Sequence, residues 1–247
     1  MDPVIKAIFL DLGNTLRFLI KDDLHMAKAR QRIVDLIGAD EDPDSFCEKL
    51  NSRYKKYRDW AFENAAEAPE SELWTRWLTP DFPSEKIAPL STELTYQFRQ
   101  SNGKRVLVDG GRVVIAELKR RGYQLGIISN LISTKEIPEW LEEDDFNRFF
   151  SSVVLSSVLG IRKPDPAIYL QAAQEIGIDP SNCAYVGDNL ERDVTGARLA
   201  GFGLAVIIKP AEEIKEDQIS DHNRPDIIIH DFTQLLDIFC EKVLQND

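Results

Sequence analysis

The chain has 247 residues, of which 43% are hydrophobic and 29% charged, and its formal net charge is −12. This length fits one large α/β domain or a core domain with an insert, and the composition is that of a globular protein. The negative charge disfavours nucleic acid and anionic membranes as partners, and it requires any anion site to be locally electropositive.

Features of the sequence that report on location point to the cytoplasm. No apolar stretch approaches the length of a transmembrane helix, so no membrane span is expected. Cys47, Cys183 and Cys240 lack the spacing of metal ligands, which indicates buried thiols in a reducing compartment. No basic region precedes an apolar segment at the N-terminus, so we expect no signal peptide and a cytoplasmic protein.

The first part of the chain predicts one strand followed by a helical insert. Residues 4–11 form an apolar run that ends at the carboxylate of Asp11. From about 17 to 102, strand-like runs give way to helical periodicity. Helices are predicted at 22–37, from 43 to about 66, at about 70–78 and at 84–100. We therefore predict an all-helical cap domain over residues 17–103.

Residues 1–16 and 104–247 are predicted to form the core domain, because strands and helices alternate along the second of these segments. Helices are predicted at 109–122, 134–143, 165–177, 190–201 and 232–244, and strands at 124–129, 152–156, 183–187, 203–208 and 226–229. Such alternation implies parallel pairing with right-handed crossovers. The expected fold is an α/β, doubly wound, three-layer parallel sheet with an inserted helical cap.

Four segments place reactive side chains at or just beyond predicted strand ends, where ligands bind in open α/β sheets. They are Asp11 with Gly13 and Thr15, Ser129 with Asn130, Lys163 ahead of Pro164, and Asp188 with Asp193. Together they supply a carboxylate nucleophile, hydroxyl and amide donors, a cation and an acidic pair suited to Mg²⁺. This inventory fits phosphoryl transfer, in which an aspartate nucleophile divides hydrolysis into formation and breakdown of an aspartyl-phosphate.

The order and spacing of these motifs resemble the haloacid dehalogenase (HAD) superfamily across the predicted core, and the insert resembles the helical (C1-type) cap of that superfamily. By this resemblance, Asp11 is the nucleophile, and Ser129 and Asn130 hold the transferring phosphoryl group. Lys163 stabilises both the nucleophile and the phosphate. The resemblance implies a hydrolase of the phosphatase type, whose substrate is a small phosphorylated metabolite, acting as a monomer or homodimer.

The same resemblance implies Mg²⁺ as the cofactor. Its ligands would be Asp11, the backbone carbonyl of Gly13 and Asp188. Asp193 would be a second carboxylate ligand or an anchor behind the ligands. The alternative is that Asp188 is only a helix N-cap and Asp193 only an acid in the first turn, stabilised by the helix dipole.

Gly13 departs from the Asp-x-Asp-x-Thr pattern of the family's phosphatases, in which the second Asp protonates the leaving group. Loss of a general acid costs about 10²–10⁴-fold in rate, mainly on alkoxide leaving groups, whereas acyl and aryl phosphates leave without such help. Four interpretations stay open: a slow or substrate-restricted phosphatase, a phosphatase with a relocated acid, a non-catalytic or regulatory binding protein, and a 2-haloacid dehalogenase. Asp188 favours a metal, and therefore phosphate chemistry.

Tyr54, Tyr57 and Arg58 lie at helical spacing in the insert and are candidates to line a substrate pocket. The alternative is that the aromatic side chains of the insert, the tryptophans above all, fill its core while its charged residues face water. Arg162 is expected to face solvent or the cap.

Overall fold

A six-stranded parallel sheet forms the centre of the molecule in the computed structural model, which describes residues 4–214 and 219–240. The strands of the chain are β1 (Ala7–Leu10), β2 (Arg17–Ile20), β3 (Lys104–Leu107), β4 (Gln124–Ser129), β5 (Phe150–Leu155), β6 (Cys183–Gly187), β7 (Leu204–Ile208) and β8 (Ile227–Ile229). The sheet order is β5-β4-β1-β6-β7-β8, with every pair parallel. The predicted α/β parallel sheet is confirmed.

Helices flank this sheet and fill the insert. They are α1 (Asp23–Ile37), α2 (Pro43–Glu63), α3 (Glu70–Glu72), α4 (Ser84–Ile87), α5 (Ser91–Gln100), α6 (Gly111–Arg120), α7 (Glu136–Glu143), α8 (Ser156–Leu159), α9 (Pro166–Ile176), α10 (Thr195–Leu199), α11 (Ala211–Ile214) and α12 (Leu235–Ile238). Of the closing helix predicted at 232–244, residues 241–244 lie outside the described residues. No helix among the described residues combines the length and apolarity needed to cross a membrane.

The central strand sets the position of the site. All four residues of β1 are buried, as expected for a strand covered on both faces. Leu10 aligns with Ile127 of β4 on one side and with Val186 of β6 on the other. The side chains that follow these three strands therefore emerge side by side at one edge of the sheet.

The insert encloses a hydrophobic core of its own. The cluster includes Ile33 of α1, Leu50 of α2 and Phe98 of α5, and Trp74 is fully buried within it. Trp60 and Trp77 pack against this cluster while partly exposed, which agrees with the tryptophans serving as packing residues. The boundaries of 17–103 for a cap domain stay a prediction.

The expectation that no strand occurs between 17 and 102 is wrong at its first residues. β2 pairs antiparallel with β3, with Arg17 opposite Leu107. The partner strand follows the whole helical insert, so no short turn signal marks the pairing in the sequence. The expectation of buried thiols is also wrong for Cys240, which is exposed, although Cys47 and Cys183 are buried.

Candidate active site at the carboxyl edge of the sheet

Asp11 lies at the end of β1, and two donors hold its carboxylate. Its backbone N–H donates to the carbonyl of Val186 at 2.9 Å, which extends the strand pairing to this residue. The Ser129 hydroxyl donates to Asp11 Oδ1 at 3.0 Å, and Lys163 Nζ lies 3.1 Å from the same oxygen. Among the described residues no hydrogen bond reaches Oδ2, so this oxygen is available for chemistry.

Lys163 is the charged centre of the site and is 2% exposed. Its ammonium donates to Asp193 Oδ1 at 2.8 Å and to the hydroxyl of Tyr185 at 2.6 Å. The Tyr185 hydroxyl in turn donates to the carbonyl of Ile128 at 2.9 Å. Tyr185 was missed by sequence reasoning, because it lies in the interior of β6 and resembles an ordinary strand residue.

Asn130 is engaged with the backbone of the lysine segment. Its Nδ2 donates to the Lys163 carbonyl at 3.0 Å, and its Oδ1 accepts from the Lys163 N–H at 2.8 Å. Both ends of the side-chain amide therefore fix the lysine in place. Contact between Asn130 and a phosphoryl group stays a prediction.

Asp193 is buried and hydrogen bonded at both oxygens. Lys163 occupies Oδ1, and the backbone N–H groups of Asp188 and Asn189 each donate to Oδ2 at 3.0 Å. A Cβ on Gly187 would lie 2.3 Å from Oδ2, so only glycine admits this carboxylate. The arrangement favours the anchor alternative over direct metal ligation. Asn189 accepts from the N–H of Arg192 and caps the following π-helical segment.

Asp188 is the least neutralised acid of the site. Burial, followed by repulsion from Asp193 and Asp11, raises the pKa of Asp188 to about 6. Asn14 Nδ2 donates to Oδ2 at 3.1 Å, and Arg192 Nη2 lies 3.4 Å from Oδ1. Arg192 was not among the predicted site residues, although it lies one turn after Asp188.

These acids meet the chemical requirement of a divalent cation site. Asp11, Asp188 and Asp193 each offer an oxygen within 4.8 Å of those of the other two. Burial and then the neighbouring carboxylates raise the pKa of Asp188, and a hard cation with oxygen ligands relieves the repulsion between these carboxylates. The donor set therefore fits Mg²⁺.

Gly13 is exposed at the mouth of the site, and nothing lies within 4 Å of the position that its Cβ would take. Its φ is outside the positive region, so other residues can adopt this backbone conformation. The absence of a side chain at position 13 thus leaves open space beside Asp11.

Six of the predicted site residues line one cavity of about 160 Å³, and Asp193 is not part of its lining. It is lined by Asp11, Gly13, Asn14, Ser129, Asn130, Lys163, Asp188 and Arg192. A neighbouring cavity of about 220 Å³ shares Gly13, Asn14, Ser129 and Asn130 with it. A third, of about 670 Å³, shares Asn130 and Arg192 and extends to the insert.

The insert contributes two of its three predicted lining residues. Tyr54 and Arg58 line the 670 Å³ cavity. Tyr57 does not: it is fully buried in the core of the insert and donates its hydroxyl to Glu67. Arg162 is buried and paired with the same Glu67, so it faces the insert rather than solvent.

Comparison with known proteins identifies one matching family model and related phosphatases. A family model described as haloacid dehalogenase-like hydrolase matches residues 5–201. A glyceraldehyde 3-phosphate phosphatase of Methanopyrus kandleri is 32% identical over 51% of this chain and 54% of the relative. The chain thus spans about half the length of that relative. A phosphoserine phosphatase of Thermus thermophilus is 29% identical over 80% of this chain and 86% of its own.

The solved structures show the fold. A 2-haloacid dehalogenase from Pseudomonas syringae superposes with a TM-score of 0.67 at 22% identity, covering 95% of this chain and 97% of that one. At this identity the likeness concerns the architecture and not the substrate.

Proposed function

Because the chain belongs to the haloacid dehalogenase-like hydrolases, we propose that it is a Mg²⁺-dependent phosphatase of a small phosphorylated metabolite, acting through an aspartyl-phosphate on Asp11. The observation that carries the proposal is that Ser129 and Lys163 converge on Oδ1 of Asp11, in a cavity that Asp188 also lines. The phosphatase names of the two curated relatives support the reaction class.

The proposed reaction begins when an oxygen of Asp11 attacks the phosphorus of the bound ester. The bond from phosphorus to the leaving oxygen breaks as the bond to Asp11 forms. Ser129 and Lys163 orient the carboxylate through Oδ1 and stand next to the oxygens of the transferring group. A water then attacks the phosphorus, the bond to Asp11 breaks, and inorganic phosphate and the free carboxylate are released.

Asp11, Asp188 and the carbonyl of Gly13 would hold the Mg²⁺, with Asp193 fixing the loop behind them. When bound, the ion supplies charge neutralisation for the phosphoryl oxygens. Asp193 contributes by holding the backbone N–H groups of Asp188 and Asn189 and by positioning Lys163.

The leaving group must obtain its proton without help from position 13. Gly13 offers no acid, so the leaving oxygen takes its proton from water or from a group on the substrate. The proposed enzyme is therefore fast on acyl and aryl phosphates and slower by about 10²–10⁴-fold on alkyl phosphates.

The test is a metal-dependence assay with acetyl phosphate, 4-nitrophenyl phosphate and ethyl phosphate. We expect turnover of the first two with Mg²⁺ and none in chelator, with ethyl phosphate much slower. No turnover by a folded protein that also binds no Mg²⁺ would favour a non-catalytic binding protein. Halide release from 2-chloropropionate in place of phosphate release would favour a dehalogenase.

A further inference from the structure

One buried and two partly buried arginines form a cluster beside the phosphoryl cavity and share a single carboxylate, Glu136. Arg99 Nε lies 2.6 Å from Glu136 Oε2, and Arg17 Nη1 and Arg105 Nε lie 3.4 and 3.7 Å from Oε1. Glu136 is 3% exposed. Three guanidiniums facing one carboxylate leave a formal excess of two positive charges.

The cations of this cluster are incompletely satisfied. Burial lowers the pKa of Arg17, and burial together with the nearby charge of Arg99 lowers the pKa of Arg105 to about 10. The Nε of Arg17 is buried with no hydrogen-bond partner among the described residues. Such groups gain from an anion, because unpaired buried charge is costly.

The cluster lines the cavity next to the one that holds Asp11. Arg17, Arg99 and Arg105 line the 220 Å³ cavity, to which Gly13 and Ser129 of the phosphoryl site also contribute. The remaining lining is mostly apolar and comes from Leu12, Leu19, Leu131 and Ile137. A molecule that places phosphate at Asp11 can therefore extend over an apolar surface to the arginines.

We propose that Arg99 and Arg105 bind a carboxylate of the substrate, so that among alkyl phosphates the preferred substrates are short-chain phosphate esters of hydroxycarboxylic acids. This inference rests on the phosphatase function proposed above. The planar guanidinium matches the geometry of a carboxylate, with two parallel N–H groups for its two oxygens. On a protein with a net charge of −12, this cluster also supplies the local positive potential that a doubly anionic substrate requires.

The 220 Å³ cavity has room for a short chain between the two anions. A water takes about 30 Å³ of liquid volume, so this cavity accommodates a carboxylate on a chain of a few carbons. Arg99 and Arg105 also line the 670 Å³ cavity. Sugar phosphates, which lack the second anion, would leave the arginines without a partner.

The test compares 3-phosphoglycerate with glycerol 3-phosphate, because both release a primary alcohol and differ at the far carbon. With Mg²⁺ present, we expect kcat/KM for 3-phosphoglycerate to be about 10- to 100-fold higher, the range of a charge-assisted hydrogen-bonded pair. Propane-1,3-diol bisphosphate serves as the alternative dianion. Its preference over 3-phosphoglycerate would overturn the carboxylate assignment in favour of a second phosphate.

Variants distinguish a loss of substrate recognition from a loss of folding. Arg99→Gln is expected to abolish the preference for 3-phosphoglycerate, because kcat/KM should fall further for 3-phosphoglycerate than for glycerol 3-phosphate. Arg105→Lys keeps the charge and is expected to retain part of the preference. Arg76→Gln, which breaks an exposed pair with Glu72, is the matched control and should change neither. Equal loss on all substrates in Arg99→Gln would mean that the cluster is structural only.

The two proposals fail in different ways. Turnover of 4-nitrophenyl phosphate with equal kcat/KM for the two glycerol-type esters overturns the carboxylate site and leaves the phosphatase standing. If no ester is hydrolysed, calorimetric binding of 3-phosphoglycerate and glycerol 3-phosphate to the Asp11→Asn variant decides the question. Tighter binding of 3-phosphoglycerate supports the site, and equal or absent binding overturns it.

Discussion

Two charged clusters lie in neighbouring cavities, and each is the electrostatic inverse of the other. In the first, the carboxylates of Asp11 and Asp193 contact the ammonium of Lys163, and Asp188 lies beside them with Arg192 at its edge. In the second, three guanidiniums surround the carboxylate of Glu136. Each cluster thus carries an excess of one sign, which in a buried setting is costly unless a ligand of opposite sign compensates it.

The clusters differ in how completely their charged atoms are hydrogen bonded. Lys163 and Asp193 have hydrogen bonds at every charged atom that faces the site, and they leave Asp188 as the group open to a cation. The arginines instead share one acid, and Arg17 keeps a donor without a partner among the described residues. The acidic cluster is accordingly the proposed reaction centre, and the arginine cluster is the proposed determinant of substrate choice.

The largest expected effect comes from removing the nucleophile of the acidic cluster. Asp11→Asn should lower turnover of 4-nitrophenyl phosphate by about 10⁴-fold or more, because the amide cannot form the aspartyl-phosphate. Steady-state kinetics with Mg²⁺ measures it. Asp35→Asn, an exposed helical change, is the control. Full activity in Asp11→Asn would remove Asp11 from the mechanism.

Gly13→Asp tests whether the open space beside the nucleophile accounts for weak leaving-group chemistry. Since a Cβ there meets nothing within 4 Å, the new side chain is accommodated. Turnover of ethyl phosphate should rise by about 10²–10⁴-fold, with little change for 4-nitrophenyl phosphate. Gly13→Asn supplies the same shape without the acid. A similar gain in both variants would exclude proton donation as the cause.

Glu136→Gln tests how strongly the arginine cluster depends on its shared carboxylate. It leaves three guanidiniums without their shared anion, so the free energy of unfolding should fall by about 3–5 kcal/mol. Urea denaturation measures the loss, and malonate should restore part of it by occupying the cluster. Glu142→Gln, on the exposed face of the same helix, is the control. An unchanged midpoint would show that the cluster is already neutralised.

The pH dependence of the metal-free protein tests the acidic cluster. Burial, followed by repulsion from Asp193 and Asp11, raises the pKa of Asp188 from 3.8 to about 6, which costs about 3 kcal/mol of stability once the carboxyl is ionised in both states. The folded protein is therefore stabilised by the protonated Asp188 carboxyl at low pH, and this stability is lost as the pH rises through 6. In chelator, Asp188→Asn should therefore gain about 1–2 kcal/mol relative to wild type between pH 5 and 7.5. A constant difference across that range would contradict the assignment.

Tyr185 links the ammonium of Lys163 to the backbone of β4. Tyr185→Phe removes the hydroxyl that accepts from Lys163 and donates to Ile128. We expect a loss of about 1–3 kcal/mol in unfolding free energy and a severalfold fall in kcat. Tyr123→Phe, another tyrosine of the core domain, is the comparison. A fall in stability without a fall in kcat would limit Tyr185 to packing.

Sequence reasoning reached the acidic cluster because each of its parts is local. Asp11, Ser129 and Asp188 each follow an apolar strand, and parallel pairing of adjacent strands then brings them to one edge. The register that does this follows from the alternation of strands and helices. The anchoring of Asp193 by two backbone N–H groups is likewise a consequence of the turn after β6.

The arginine cluster was not predicted, for a physical reason. Arg17 and Arg105 come from the β2–β3 ribbon, Arg99 from the end of α5, and Glu136 from the start of α7. These segments are brought together only by tertiary packing, and each charge by itself resembles a solvated surface residue. Tyr57 shows the converse error, since its helical spacing with Tyr54 gave no sign that it would face the core of the insert.

The most direct test of the central claim is the thermal unfolding of wild type and Asp11→Asn with Mg²⁺ and beryllium fluoride, which mimics a phosphoryl group on a carboxylate. The mimic does not depend on a leaving group, so the missing acid at position 13 cannot influence the outcome. We predict that the two ions together raise the Tm of wild type well beyond the effect of either alone, and that Asp11→Asn shows no such rise. An equal rise in both proteins, or no rise in wild type, would contradict an aspartyl-phosphate on Asp11.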